Sequence, residues 1–197
     1  MSDAPLTGVS SRGGACFTLG NRVRRAIWNL IWIPFGYYSP RPFHAWRRML
    51  LRLFGARISG PSRIYPRVKI WAPWNLEIRG RVGIGEESVL YNQAKIVIEH
   101  AATISQGVHL CTGTHDYESP NFELIAKPIH IQNHAWLAAE VFVHPGVTIG
   151  EGTVIGARSV VIHSMPEWTV CSGFPCKPIK PRNKFEIIHP NPPVEHE

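Results

Sequence analysis

Aliphatic residues recur every six positions in this chain, and that spacing constrains the fold more than any other feature. From Ile131 onward they fall at Ile131, Leu137, Val143, Ile149, Ile155 and Val161, in the segments IQNHAW, LAAEVF, VHPGVT, IGEGTV and IGARSV. The same period appears at Ile58, Ile64, Ile70 and Leu76, at Ile84, Leu90 and Ile96, and at Ile98, Ile104 and Leu110, with a two-residue slip between blocks. An amphipathic helix needs a period near 3.6 and a half-buried strand needs strict alternation, so neither fits. A repeat of six implies a coil of short strands, each pointing one aliphatic inward and each turn burying the open face of the last. Small or turn-forming residues (Ala138, Gly150, Gly156) follow the aliphatic, which predicts corners turned without a side-chain clash, and a second small or branched residue stands at the fifth place.

The chain has 197 residues, 44% of them hydrophobic, enough for one domain with a sizeable core. It holds no apolar run of the roughly 20 residues that a membrane-spanning helix needs, and residues 1–20 lack the apolar stretch of a secretory signal. A cytoplasmic protein is expected. The net charge of +7 is unevenly placed: residues 1–60 hold nine Arg against one Asp, and the remainder is close to neutral. Nucleic acid is not the expected partner, because these arginines alternate with Trp and Leu and no DNA- or RNA-binding motif accompanies them. Cys16, Cys111, Cys171 and Cys176 form no zinc-binding spacing and read as free thiols.

Three stretches carry a resemblance: LYNQAKIVIEHAATISQGVHLCTGTHDYESP, PIHIQNHAWLAAEVFVHPGVTIGEGTVIGARSVV and CSGFPCKPIKPR. They resemble the hexapeptide-repeat acyltransferases, in the maltose and galactoside O-acetyltransferase branch. HAWRRMLLRLFGARI and IWAPWNLEI are similar to the colanic-acid and exopolysaccharide subgroup. The resemblance implies a mainly β fold, a left-handed parallel β-helix over 58–182. A helical cap is expected over 21–57, a flexible N-terminus over 1–20 and a Pro-rich tail over 183–197. Helices are expected at 22–33 and 44–54. In the second, Ala45, Trp46, Met49, Leu50 and Leu53 share a face opposite Arg47, Arg48 and Arg52. This predicts a cap docked on the first turn of the coil, or a basic surface resting on anionic lipid at the inner face of the membrane.

The resemblance also implies the chemistry: acetyl transfer from acetyl-CoA to a sugar hydroxyl in exopolysaccharide biosynthesis, without a metal. His115, where LCTGTH enters the inserted loop HDYESPNFELIAKP, matches the family's catalytic base. A hydroxyl is a poor nucleophile until its proton starts to leave, and imidazole suits that task at neutral pH. Ala139 in WLAAE matches the backbone N–H that meets the oxyanion. Trp136, Ala157, Lys177 and Lys180 match donor-binding positions. Ile162 and His163 stand where the family often has Thr-Lys. On the acceptor side the matches are Asn92 and Gln93, with Asp116 and Tyr117 beside the base. The expected partners are two further copies, in a homotrimer whose donor lies between coils, and a sugar, nucleotide-sugar or lipid-linked glycan acceptor. Three other readings compete: transfer to the amine of an amino sugar, a catalytically silent scaffold, and a zinc protein like the γ-type carbonic anhydrases. The last would draw on His109, His115, His130, His134 and His144, whose spacing does not reproduce that ligand pattern.

Overall fold

A computed structural model describes residues 16–185; most of the predicted flexible terminus and tail, at 1–15 and 186–197, lies outside them. The chain forms a three-faced parallel β-solenoid behind two N-terminal helices. The first face stacks Arg57–Ile58, Leu76–Ile78, Ile96–Ile98, Ile129–Ile131 and Thr148–Ile149. The second stacks Arg63–Ile64, Gly83–Ile84, Thr103–Ile104, Trp136–Leu137, Val154–Ile155 and Thr169–Gly173, and ends on the antiparallel strand Cys176–Pro181. The third stacks Lys69–Ile70, Val89–Tyr91, His109–Cys111, Phe142–Val143 and Val160–Val161.

The six-residue period becomes three aliphatic ladders. Ile64, Ile84, Ile104, Leu137, Ile155 and Cys171 lie in register on the second face, and Ile70, Leu90, Leu110, Val143 and Val161 on the third. All are buried. Cys171 is thus the last inward rung of its ladder; burial pushes its thiol up to about 11. The two-residue slip has a physical cause. In Leu76–Ile78, Ile96–Ile98 and Ile129–Ile131 both end residues point inward, so a first-face strand spends two aliphatics where the other faces use one.

The left-handed residue of each corner is not the small one that follows the aliphatic, where the spacing had put the turn. The fourth residue of the hexapeptide takes the left-handed conformation, and it is often large: Arg67, Glu87, His134, Glu140 and Arg158 all have φ between 57° and 61°. The small second residue answers a different need, the close approach of the next turn. A Cβ at Gly150 would stand 2.6 Å from the Glu167 amide nitrogen. Gly150→Ala is therefore expected to destabilise the coil by about 1–3 kcal/mol, read as a lowered midpoint in thermal unfolding.

The helices are α1, Leu19–Trp32, and α2, His44–Leu53. The Thr18 hydroxyl caps α1 by accepting from the Asn21 amide at 3.2 Å, and Pro34 follows in the wide turn Ile33–Tyr37. In the coil each turn's N–H groups donate to carbonyls of the turn after it, as Arg63 to Val82 and Lys69 to Ser88. The first turn's own carbonyls therefore face an end with no turn beneath. Side chains of the cap satisfy five of them. Arg52 donates to Ile58 O, Arg48 to Ser62 O, Arg47 to Ile64 O, Trp32 to Val68 O and Trp28 to Ile70 O, at 2.6–3.1 Å.

This reverses the predicted orientation of α2. Arg47 is fully buried, and Arg48 and Arg52 also reach inward, while Trp46, Met49 and Leu53 face out; of the shared apolar set only Leu50 is buried. The cause is the nature of the surface being covered. A row of backbone carbonyls needs donors, which guanidinium groups supply and aliphatics cannot. The basic face is thus committed to the coil rather than to lipid.

Candidate active site

The inserted segment after the third turn is a hairpin. Gly113–His115 pairs antiparallel with Leu124–Ala126, setting His115 opposite Leu124. The half-buried His115 ring stacks on Phe122, with centroids 4.4 Å apart and planes within 5°. Its Nδ1 lies 3.1 Å from Phe122 O. A carbonyl only accepts, so Nδ1 carries the proton and neutral Nε2 holds a lone pair. The ring is fixed on two sides with its basic nitrogen directed elsewhere. Phe122 is the residue that sequence reasoning missed; it lies seven positions beyond His115, and only closure of the hairpin brings it back.

Gln93 lies under the same edge of the coil. It donates through Nε2 to the Tyr91 hydroxyl at 2.7 Å, while its Oε1 is buried without a hydrogen-bond partner among the described residues. A Cβ at Gly113 would stand 2.3 Å from that oxygen, so only glycine lets the hairpin pass so close. Burial chiefly holds the Tyr91 phenol above its ordinary pKa, keeping it a neutral hydroxyl. Beside it a largely apolar cavity of about 470 Å³ opens between α1 and the third face, lined by Trp32, Tyr37, Tyr38, Trp71 and Tyr91.

One acceptor-side expectation, Asn92, needs correction, and Asp116 has a local role beside the expected one. Asn92 is fully buried, with Oδ1 accepting from the Ala72 amide at 3.0 Å and Nδ2 donating back to Ala72 O at 2.5 Å. The amide clips the preceding turn in place and has nothing left for a sugar. Asp116 accepts from the Glu118 and Ser119 amides at 3.1 and 3.3 Å, which makes it the organiser of the hairpin bend. Tyr117 is 81% exposed on that bend.

The donor-side residues divide between two edges. Ala139 and Ala157 sit one turn apart on the corner between the second and third faces, continued by the hairpin that carries Lys177 opposite Ser172 and Lys180 opposite Val170. Both lysines and Ala157 are exposed. Trp136, 45% exposed, precedes this corner and donates from its indole N–H to the Ser105 hydroxyl at 3.0 Å. The Ala139 N–H, like those of Gln106 and Ala157 on the same corner, makes no hydrogen bond among the described residues. Ile162 and His163, by contrast, follow the third-face strand and lie on the His115 edge. One coil therefore does not bring His115 and Ala139 together. The third face lies between them, roughly 15–20 Å of extended chain.

Three of the four thiols are poorly suited to carry an acyl group. Cys111 donates to Gly113 O at 3.2 Å, and burial raises the pKa of Cys111, Cys171 and Cys176 alike. At neutral pH all three are expected to resist iodoacetamide in the folded protein and to react once it is denatured, which mass spectrometry of the labelled peptides reads directly. The histidines do not converge either. His109 packs against Phe142, His130 bonds Glu99 at 2.7 Å, and His134 lies against His100. Among the described residues of one chain no three metal-ligating side chains come together.

Comparison with known proteins agrees with the architecture. Residues 128–163 match the family described as bacterial transferase hexapeptide, six repeats. The chain is 42% identical over 181 residues to WcaF of Escherichia coli K12, named as a colanic acid biosynthesis acetyltransferase, covering 92% of this chain and 98% of that one. A hexapeptide-repeat acetyltransferase from Vibrio cholerae, solved with acetyl coenzyme A, superposes with a TM-score of 0.79 at 22% identity, over 93% of this chain and 100% of that one. A maltose O-acetyltransferase from Clostridium difficile 630 gives 0.73 at 21% identity, over 85% and 90%. These two show the shared fold. Coil, hairpin and near-full-length identity lead to one conclusion: the chain belongs to the hexapeptide-repeat acetyltransferases, in the same family as WcaF.

Proposed function

We propose that the protein transfers an acetyl group from acetyl-CoA to a hydroxyl of a sugar acceptor in exopolysaccharide assembly, with His115 as general base. The observation that carries this reading is the His115 Nδ1–H bond to Phe122 O, which leaves Nε2 as the proton acceptor. The colanic acid relative and the neighbour solved with acetyl coenzyme A support the reaction class and the donor. Nε2 takes the proton of the acceptor hydroxyl as its oxygen attacks the thioester carbonyl. The Ala139 N–H meets the oxyanion that forms. Collapse breaks the carbon–sulfur bond, the imidazolium returns its proton to the departing thiolate, and the products are the acetyl ester and free CoA. Direct transfer between donor and acceptor held together needs no acyl-cysteine intermediate. The aromatic cavity lined by Tyr91, whose hydroxyl Gln93 holds from behind, forms the acceptor side, and Lys177 and Lys180 face the donor's phosphates.

A base and an oxyanion donor must both lie about 3 Å from the reacting centre. His115 and Ala139 satisfy this only if they come from two copies, one coil presenting its His115 edge to its neighbour's Ala139–Ala157 corner. That contact is head-to-tail, and a closed ring of three coils completes every site. In this arrangement Ile162 and His163 face the donor from the His115 side of the groove. Acetyl-CoA is a cytoplasmic metabolite, which supports a reaction on the cytoplasmic side.

The test is release of free CoA thiol from acetyl-CoA across a panel of free sugars, amino sugars, nucleotide sugars and lipid-linked glycans. Acceptor-dependent release with an ester product is expected. An amide product would replace the hydroxyl acceptor by an amine, and absence of both release and acetyl-CoA binding would overturn the proposal.

A further inference from the structure

The outward side of the helical cap is apolar. On α1 the side facing away from the coil carries Leu19, Val23, Ile27 and Leu30, all 49–73% exposed, directly opposite the docked Trp28 and Trp32. On α2 the corresponding side carries Trp46, Met49 and Leu53, 39–72% exposed. The two helices cover one and the same end of the coil: α2 caps carbonyls of the first and second faces, and α1 those of the third. Their outward sides therefore both point away along the coil axis and form one end surface. Exposed apolar surface this continuous marks an interaction site rather than ordinary solvent-facing area.

Charge selects the occupant. Between Leu19 and Leu76 the sequence holds eleven Lys and Arg and not one Asp or Glu. Arg22, Arg24, Arg57, Arg63 and Lys69 are exposed around the cap and first turn. Arg41 and Arg67 reach over to Glu86 and Glu87 of the second turn. A second copy brought against this end would set like charges face to face. An anionic bilayer complements both features, taking the apolar side chains at the headgroup boundary and drawing in the surrounding arginines. No helix of the described residues is long and apolar enough to cross a membrane, so the contact is with its surface.

We propose that the outward apolar side of the two cap helices docks on an anionic lipid bilayer, so that the coil stands end-on with its first turn nearest the membrane. The contact is made by Leu, Trp and Met of the outward stripes, not by the arginines of α2, which are engaged with the coil. It does not depend on the acetyl-transfer reading, and its test uses no enzyme assay.

The full-length protein is sedimented with vesicles of phosphatidylcholine alone and of phosphatidylcholine mixed with phosphatidylglycerol, beside the Leu30→Ser/Leu53→Ser and Ile179→Ser variants. Leu30 and Leu53 are over 70% exposed, so their replacement leaves the thermal midpoint unchanged, which is checked in parallel. The wild-type protein is expected to favour the anionic vesicles and to release as salt rises. The double Leu variant should bind about tenfold or more weakly, while Ile179→Ser, exposed at the coil's other end, binds like wild type. Failure of the wild type to bind either vesicle overturns the proposal. So does undiminished binding of the double Leu variant. A change of oligomeric state in that variant without any vesicle binding would hand the surface to a second copy instead.

Discussion

Replacing His115 by alanine is expected to lower kcat for acetyl transfer by about 10²–10⁴-fold, the usual contribution of a well-placed general base. KM for acetyl-CoA should stay nearly unchanged, because the donor contacts proposed above fall to Ala139, Ala157 and Lys177, and the imidazole serves the acceptor hydroxyl. The fold should survive, since the hairpin is held by backbone pairing of Gly113–His115 with Leu124–Ala126. Steady-state thiol release with the wild type and the variant checks both statements. Unchanged kcat would remove His115 from the chemistry, and a raised KM with kcat intact would make it a binding residue only.

The second large effect is structural. Arg47 is fully buried and donates to Ile64 O, Ser39 Oγ, Pro40 O and Arg41 O at 2.6–2.9 Å. Burial lowers its pKa from the usual arginine value, and Glu86 partly offsets this. Arg47→Met keeps the volume of the stem but orphans four buried or half-buried acceptors. The expected loss is about 3–5 kcal/mol, which for a chain of this size lowers the thermal midpoint by about 6–20 °C. Arg52→Ala, at an exposed position that caps Ile58 O alone, should cost about 1 kcal/mol. Equal stability of Arg47→Met and wild type would mean that the open end of the coil does not need side-chain donors.

The contrast between the coil and its cap explains what was readable in the residues. The positions of Ile64, Leu90 and Ile155 followed from spacing alone, because every turn meets a copy of its own pattern and an inward aliphatic stacks on the one before it. The slip between blocks was visible as an irregularity. Its cause, two inward aliphatics per strand, needed the register of Leu76 on Ile96. The orientation of α2 was not readable, since a helical wheel divides Arg47 from Leu53 without saying which side meets the coil. That choice belongs to the surface being covered, and a row of unpaired carbonyls leaves no mark in an aliphatic repeat.

The same holds at the site. Family resemblance singled out His115, Ala139 and Gln93 as candidates, whereas the roles of Asn92 and Asp116 as backbone clips depend on contacts with Ala72 and with the amides of Glu118 and Ser119. Both side chains are of the type that hydrogen-bonds nearby backbone as readily as a ligand. Nor does the primary structure say that His115 and Ala139 stand at opposite ends of one face. The proposed division of the site between copies rests on assigning corners to residues.

Subunit complementation tests that division most directly. His115→Ala lacks the base and Ala157→Trp blocks the donor corner, so each variant alone is expected to be inactive. Mixed in equal amounts, unfolded together and reassembled, they should regain about a quarter of wild-type activity, because a site drawing on two copies is intact whenever the first retains His115 and the second Ala157. Activity that stays at the level of the separate variants, in a mixture shown by mass spectrometry to contain hybrid assemblies, would place the whole site within one chain and contradict the account.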